Sequence, residues 1–156
     1  MNIIKKLGRE VSVDTRPPLE NALRSAGFHN SHIVLTSRNF PYPGYYGFGE
    51  YKIPIQVGFM DDLFSAEEVM VACRQACVRP ATLWEFAAFF KDNLSILGDA
   101  QVATLRSPGG LYQRDYVVAR RVYDRLHGWQ YIVTLVQPGP DFFLDTRLLL
   151  APHHTQ

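Results

Sequence analysis

Residues 83–93 read "LWEFAAFFKDN", an unusually apolar run for a helix-forming segment. A helix drawn through it carries large rings all round its circumference, namely Trp84, Phe86, Phe89 and Phe90. A helix with almost no polar face is a buried helix. Thr82 and Glu85 have the spacing of a capping box that starts it, and Pro80 marks the break before it. We therefore predict a buried helix over 83–92, covered by the rest of a folded domain.

Two further helices are predicted upstream. Ser65 forms a second capping box with Glu68, and small or apolar residues then recur on one broad face, which predicts a helix over 65–77. A pair of prolines suits a first helical turn and Gly27 suits a stop, which predicts a helix over 17–26. Only the turn "VRPAT" separates the second helix from the third, so we expect these two helices to pack as a helical hairpin.

Alternation of apolar and polar residues predicts six strands, near 31–37, 49–58, 101–106, 116–123, 129–137 and 142–150. The last four are separated by "SPGG", "DRLHG" and "PGPD", a spacing typical of an antiparallel meander. In the second strand Pro54 cannot donate a ladder hydrogen bond, which favours an edge position. The sequence predicts a single α+β domain over 1–156, with the helical hairpin packed on a mainly antiparallel sheet and a C-terminal β-meander.

The composition argues against several classes of protein. Sixteen Lys and Arg against fifteen Asp and Glu give a formal charge of +1, so the chain has no global field to gather nucleic acid or an anionic membrane. No window approaches the roughly 18 apolar residues of a membrane span. The first residues also lack the apolar core of a signal peptide. We expect a cytoplasmic protein with no membrane partner.

The sequence carries no signature of a metal, a cofactor or catalysis. Cys73 and Cys77 lie four apart on one face of the predicted helix, so we expect both in the core, and no second Cys/His pair has the spacing of a zinc site. No P-loop, G-x-S-x-G, G-x-G-x-x-G or H-E-x-x-H motif occurs. We predict no cofactor, no metal and no catalytic residue. A small hydrolase or an oxygen–imidazole metal site requires the fold to join separated residues, Asp61 or Asp62 with His29 or His32.

The stretch "ACVRPATL" over 76–83 resembles the turn of helix-turn-helix repressors. The likeness rests on Ala76, Val78, Pro80, Ala81, Thr82 and Leu83. It implies that a DNA-reading helix follows, but a reading helix presents polar or basic side chains to base edges. Here Trp84, Glu85 and Phe86 follow instead. We expect a packed pair of helices, with DNA reading as the alternative.

A longer stretch, roughly residues 1–90, resembles a group of short uncharacterised bacterial proteins of unknown function. The shared order is "NIIKKLG", a short helix ending in Gly, a strand running into "VGFMDD", the helix "SAEEVMVACRQAC" and then "VRPATLWEF". The resemblance implies this layout and a bacterial source. It implies no biochemical activity.

Residues 39–51 read "NFPYPGYYGFGEY" and concentrate aromatic rings between glycines and prolines. We call this segment the aromatic loop. Exposed rings there would form a binding surface, since aromatic residues are enriched where interfaces lose water. The alternative is a structural lid folded over the sheet, because any tight loop uses glycine and proline. The residues predicted to bind are Phe40, Tyr42, Tyr45, Tyr46 and Phe48.

The stretch "LYQRDYVVARRVYDR" interleaves tyrosines with arginines. Alternation along a strand places four of these side chains on one face, namely Tyr112, Arg114, Tyr116 and Arg120. Such a face is able to stack single-stranded RNA. The alternative is that the arginines cover aromatic rings and pair with aspartates across strands.

We predict a non-catalytic module that binds a protein partner or associates with itself through the aromatic loop. The first alternative is a nucleic-acid-binding protein that uses the Tyr/Arg strand face or a degenerate helix-turn-helix. The second alternative is the small hydrolase. A protein interface rich in rings and a phosphate-binding surface differ in salt dependence, because phosphate contacts release counterions.

Overall fold

The computed structural model describes residues 3–31, 35–40, 42, 44, 46–60, 65–98, 100–105, 116–136 and 146–153. In chain order the strands are β1 (Ile3–Asp14), β2 (Asn30–Ser31), β3 (Glu50–Met60), β4 (Val78–Pro80), β5 (Gln101–Leu105), β6 (Tyr116–Asp124), β7 (Gly128–Val136) and β8 (Thr146–Pro152). The helices are α1 (Leu19–Ser25), α2 (Ala66–Gln75) and α3 (Leu83–Asn93), and a 3-10 helix η1 (Leu94–Gly98) continues α3. The predicted α+β class is confirmed.

The strands form one curled half-barrel in the order β1-β3-β8-β5-β6-β7-β2, and β4 pairs with β8 beside this path. Most neighbours are antiparallel, and the parallel pairs are β5 with β8 and β2 with β7. Strands β5, β6 and β7 form the predicted meander. The last strand leaves the meander, because β8 lies between β3 and β5.

The helices cover both faces of the sheet, as the alternation along β8 shows. Leu149 and Ala151 belong to the core cluster that contains α1 and α3. Leu148 and Leu150 belong to a second cluster with Val69 of α2. Since successive strand residues point to opposite faces, α2 and α3 lie on opposite sides of the sheet.

This placement differs from the predicted helical hairpin. Three of the five residues in the "VRPAT" turn form β4, which pairs with β8 from Pro152 to Leu150. The turn therefore runs along the sheet as a strand, and the two helices on either side of it lie on different faces.

Among the described residues no helix has the length and hydropathy needed to cross a bilayer.

Helix α3 is buried as its composition predicts. Phe86, Phe89 and Phe90 are fully buried, and their rings meet edge to face, with centroids 4.8 Å apart for Phe86–Phe90 and 5.2 Å for Phe89–Phe90. Burying each such ring stabilises the fold by about 1.5–3 kcal/mol. Both predicted capping boxes are present, at Ser65 with Glu68 and at Thr82 with Glu85.

Strand β1 is an element that the alternation test missed. It pairs with β3 along its whole length, from Ile3 opposite Met60 to Asp14 opposite Glu50. The register shifts between Lys5 and Leu7. An irregularity of this kind places one extra residue in the strand and interrupts its alternation. The first four residues of β1, "IIKK", accordingly lack the alternation of apolar and polar residues that predicts a strand.

The predicted edge position of the second strand is wrong, because β3 pairs with β1 on one side and with β8 on the other. Pro54 is tolerated because the pairing with β8 extends only from Gln56 to Gly58. Within the described residues, the strand predicted near 31–37 is limited to β2, and residues 35–37 are not strand.

The end of α2 separates the two cysteines. The helix ends at Gln75, and Cys77 follows with a left-handed backbone, φ 57°, and an exposed side chain. Its carbonyl oxygen accepts a hydrogen bond from the His153 backbone N–H. Cys73 is buried, and burial raises the pKa of its thiol to about 11. The prediction that both cysteines lie in the core is therefore wrong for Cys77.

Candidate functional site

The aromatic loop folds back on the N-terminal end of α3. Phe40 is a core residue, 8% exposed. The ring of Tyr42 meets Trp84 edge to face at 5.7 Å, and the ring of Tyr46 stacks on Tyr51 at 4.6 Å. The hydroxyl of Tyr42 accepts a hydrogen bond from the Tyr46 backbone N–H. We call Phe40, Tyr42, Tyr46 and Tyr51 the lid rings.

Beneath the lid rings lies a buried ion pair between Arg79 of β4 and Glu85 of α3. The guanidinium donates two hydrogen bonds to the carboxylate, at 2.7 and 2.8 Å, and both side chains are buried. The Arg79 guanidinium carbon lies 6.0 Å from the centre of the Tyr46 ring. Burial alone would lower the pKa of Arg79, but the hydrogen bonds and charge of Glu85 outweigh it and raise that pKa.

The Glu85 carboxylate is fully used by the protein itself. Besides Arg79 it accepts hydrogen bonds from the Thr82 backbone N–H at 2.8 Å and from the Tyr51 hydroxyl at 2.9 Å. Burial, followed by the negative charge of Glu85, raises the pKa of the Tyr51 hydroxyl. A carboxylate has about four acceptor positions, and four donors fill them here. This network joins β3, β4 and α3 and leaves no acceptor for a substrate proton.

The loop is thus a lid over most of its described length. Of the predicted binding residues, Phe40 is buried, Tyr42 is half-buried, and Tyr46 is 39% exposed while stacked on Tyr51. Phe48 is 80% exposed, next to Gly49, whose backbone is tied to Thr15 by hydrogen bonds. Tyr45 lies outside the described residues. The prediction of binding by this loop stays a prediction, and Phe48 is the ring in the best position to fulfil it.

A second aromatic surface lies on the hairpin of β6 and β7. Its exposed apolar side chains are Tyr123, Leu126 and Trp129, at 64, 87 and 57% exposure. Tyr123 and Trp129 are directly opposite each other on the two strands, and their rings meet edge to face at 5.3 Å. The guanidinium carbon of Arg121 lies 4.2 Å from the centre of the Trp129 ring. We call Arg121, Tyr123, Leu126 and Trp129 the hairpin patch.

The turn that carries Leu126 is held by local hydrogen bonds. Asp124 accepts one from the Leu126 backbone N–H at 2.7 Å and lies 3.1 Å from the Nδ1 atom of His127. These two contacts lower the pKa of Asp124. Gly128 closes the turn with φ 75°, a left-handed conformation that glycine adopts without strain. The hairpin patch is therefore presented by a defined turn.

The patch is exposed because the helical layer ends before it. Val117 and Ala119 on β6, with Val133 on β7, are buried in the cluster of α1 and α3. By alternation, Arg121, Tyr123 and Trp129 continue that same face of the sheet. Since η1 packs on β6, the chain covers the face up to this point. Arg121 and Tyr131, the next residues on that face, are half-buried, and Tyr123 and Trp129 beyond them are exposed.

The hairpin that carries the patch is positively charged. Arg125 is exposed in the turn and Arg120 is exposed on the opposite face of β6 from Arg121, while the one acid of the hairpin, Asp124, already holds the turn. Within β6, the turn and β7, three arginines against this aspartate give a net charge of +2, since 3 − 1 = 2. Among the residues that the structure describes, no carboxylate lies within ion-pair distance of these three arginines.

The predicted nucleic-acid face is not the surface that the structure exposes. Tyr116 is 2% exposed and lies in the cluster of α2 with Val69 and Cys73. Arg120, on the same side of β6, is exposed. Tyr112 and Arg114 lie outside the described residues. The opposite face of β6, with Tyr123, was not predicted as a surface. The sequence did contain a signal for it, because Tyr123 and Trp129 flank the "DRLHG" turn and residues that flank a hairpin turn pair with each other.

The residues proposed for a metal or a hydrolase do not form a site within the described parts of the chain. The backbone N–H of His29 donates to the Tyr131 carbonyl at 2.8 Å, and its Nδ1 accepts from the Tyr131 N–H. No group of three His, Cys, Asp or Glu occurs there that would hold a metal ion. His32, Asp61 and Asp62 lie outside these ranges, so the hydrolase alternative stays a prediction.

Comparison with protein-family models, with curated proteins and with solved structures gives no match.

Proposed function

We propose that this protein is a cytoplasmic, non-catalytic binding module that recognises a protein partner, or a second copy of itself, through the hairpin patch. Its resemblance to small bacterial proteins supports a bacterial source. The function is the one expected from the sequence, but the main binding surface is now the hairpin patch and no longer the aromatic loop.

One observation carries the proposal. Five large apolar side chains are exposed among the described residues, and three of them lie between positions 123 and 129. Tyr, Trp and Arg are the residues most enriched among those that dominate binding energy at interfaces. Aromatic side chains held by their neighbours also lose little conformational entropy on binding. Tyr123 and Trp129 brace each other, and Arg121 lies on the indole.

Phe48 is the second candidate contact. It is 80% exposed on a backbone that is anchored to Thr15. With Tyr46 beside it, it forms the open part of the aromatic loop. We propose it as a secondary surface, because the remaining described lid rings pack on the protein itself.

Nucleic-acid binding is the second candidate function, favoured by the three arginines of the hairpin. Phosphate contacts by arginine give affinity that falls steeply with salt. Base stacking needs an open ring face, whereas Arg121 already covers one face of Trp129. A filter-binding titration with mixed oligonucleotides at two salt concentrations decides the matter, and absence of retention at low salt removes this candidate.

Site-specific photo-crosslinking tests the protein-binding proposal. A photoreactive phenylalanine analogue replaces Leu126, which is 87% exposed, and in a matched control it replaces Arg74, which is exposed on α2. In the cells that make the protein we expect a discrete adduct from position 126 only. That adduct should disappear when Trp129→Ala is added.

The mass of the adduct separates a second copy of the chain from a different protein. The same adducts from both positions, or an adduct at position 126 that persists without the Trp129 ring, would contradict the proposal.

A further inference from the structure

We infer that the hairpin patch selects a partner segment in which a carboxylate lies next to an apolar side chain. This inference rests on the proposed function and adds the chemistry of the partner. The carboxylate would bind the guanidinium of Arg121, and the apolar side chain would pack on Tyr123 and Leu126.

The lid rings offer a comparison within the same molecule. Arg79 lies beside the Tyr46 ring and is matched by the two oxygens of Glu85. Arg121 lies on the Trp129 ring. In the part of the chain that the structure describes, no carboxylate is matched to it. Among the described residues, the hairpin patch thus has the ring and the guanidinium of the buried network without a matching acid.

The contact between Arg121 and the indole leaves hydrogen-bond donors for a partner. A guanidinium is planar and carries five N–H donors in its plane. A ring that packs on one face of it leaves these in-plane donors at the perimeter, and the contact reduces the freedom that binding would otherwise remove. Two parallel hydrogen bonds to a carboxylate are the strong contact for such a group. The guanidinium carbon of Arg121 lies over the Trp129 ring, 4.2 Å from its centre, so this contact is in place before any partner arrives.

The hairpin around the patch carries a net positive charge. Arg125 in the turn and Arg120 on the opposite face of β6 add to the charge of Arg121, and Asp124 is engaged by the Leu126 N–H and by His127. Complementary charge speeds encounter and excludes partners of the same sign. A basic segment would be repelled, and a neutral one would leave the arginines without counter-charges.

A peptide is favoured over a nucleic acid because of what covers the indole. Bases bind by stacking on open ring faces, and here a guanidinium occupies one face of Trp129 while Tyr123 meets the ring edge to face. Apolar side chains need no open ring face, and they are able to contact the exposed Leu126 and the ring of Tyr123.

The test measures fluorescence anisotropy of three labelled probes with the whole chain. One probe is a ten-residue peptide of alternating Asp, Leu, Glu and Phe, the second replaces its acids with Asn and Gln, and the third is a ten-nucleotide oligothymidine. We expect the acidic peptide to bind at least about tenfold more tightly than the amide peptide, since one good charged contact contributes about 1.4 kcal/mol or more.

Variants at Arg121 assign the effect to that side chain. Arg121→Gln should remove the preference for the acidic peptide, and Arg121→Lys, which keeps the charge but loses the planar pair of donors, should remove most of it. The matched control is Arg9→Gln, since Arg9 is exposed on β1 at the other end of the strand order. This control should leave all three affinities unchanged.

Three results would overturn the inference. If both peptides bound equally well and Trp129→Ala abolished their binding, recognition of a carboxylate would be refuted. The proposed function would then still stand. Tighter binding of the oligonucleotide that depends on Arg121 would refute it in favour of nucleic acid. No binding of any probe would also refute it, and the crosslinking experiment at position 126 would then decide separately whether the proposed function fails.

Discussion

The lid over α3 and the hairpin patch are built from the same types of side chain, and they have opposite relations to solvent. In the lid, tyrosines and Arg79 close over Glu85, and the carboxylate has four donors. In the hairpin patch, Tyr123 and Trp129 are exposed, and Arg121, which lies on the indole, is half-buried. Aromatic and arginine content alone therefore does not distinguish a structural region from a binding surface.

The difference lies in whether the fold itself supplies an acid. Glu85 is the third residue of α3 and a member of its capping box with Thr82, so a residue that helps to cap the helix also neutralises Arg79. On the hairpin the corresponding acid, Asp124, is used by the turn. A buried charge without a partner is costly, whereas an exposed one is solvated. The counter-charge of the buried Arg79 must therefore come from the chain itself, whereas a partner is able to supply the counter-charge of Arg121.

Breaking the buried pair is the largest predicted effect. Glu85→Leu leaves Arg79 buried without its counter-charge and should lower the free energy of unfolding by about 3–5 kcal/mol. Urea denaturation measures this loss. The double variant Arg79→Met with Glu85→Leu should recover the part that comes from the unpaired charge, and the loss of the bonds from the Tyr51 hydroxyl and the Thr82 N–H should remain.

The control for that prediction is the exposed ion pair at the β1–β3 end. Arg16 bonds Asp14 and Glu50 in solvent, and Arg16→Gln should leave the unfolding midpoint within error. If Glu85→Leu lowered the unfolding midpoint no more than this control does, the buried network under the lid rings would be refuted.

Removing one hydroxyl from the lid is the next largest effect. Tyr51→Phe deletes the hydrogen bond to Glu85 and should lower the free energy of unfolding by about 1.5–3 kcal/mol. The matched control is Tyr123→Phe on the hairpin, where the ring is 64% exposed. There the same chemical change should have little effect on stability, as measured by urea denaturation.

The same tyrosine predicts a dependence on alkaline pH. Burial raises the pKa of Tyr51 above its ordinary value of 10.0, so the folded protein holds this proton more tightly than the unfolded chain does. Its contribution to stability is fully present below that value and is lost as the pH rises above it. Denaturation midpoints should fall above about pH 10 in the native chain and fall less in Tyr51→Phe. An equal fall in both would contradict this assignment.

Removing the exposed indole should have a small effect on stability and a large effect on binding. Trp129→Ala loses cross-strand contacts, which contribute about 0.2–1 kcal/mol, whereas Trp84→Ala opens a cavity in the core and should lower the free energy of unfolding by about 3–5 kcal/mol. Binding of the acidic peptide should weaken at least about tenfold in Trp129→Ala. Comparable losses of stability at both positions would show that the hairpin is not a free surface.

The two cysteines at the end of α2 also differ in exposure, since Cys73 is buried and Cys77 is exposed. At pH 8 a thiol reagent should label one cysteine per folded chain, Cys77, because it is exposed after the helix end. Cys73 should react only after denaturation, since it is buried and its pKa is raised to about 11. Rapid labelling of two thiols, counted by absorbance, would contradict the placement of α2.

Local signals in the sequence were enough to predict the helices and the C-terminal hairpins. The rings of α3 required burial, two capping boxes fixed helix starts, and "DRLHG" marked the turn of β6 and β7. What failed were features that depend on distant partners. The irregularity near Lys5 interrupts the alternation of β1, and β4 is a strand only because β8 pairs with it.

The candidate site was predictable only in part for the same reason. The network of Arg79, Glu85 and Tyr51 joins three elements, and nothing local in the sequence brings them together. The exposure of Trp129 depends on where the helical layer on its face of the sheet ends. The alternation of β6 and β7 defines two faces, but only the packed structure shows that Tyr116 is covered and Tyr123 is open.

Acrylamide quenching of tryptophan fluorescence tests the central comparison most directly, because the chain has two tryptophans, one in each region. Trp84 is 4% exposed and Trp129 is 57% exposed. We predict one readily quenched and one protected component in the native chain, with the quenched component absent from Trp129→Phe. Protection of both indoles, or strong quenching that survives in Trp129→Phe, would contradict the account of a closed lid and an open hairpin.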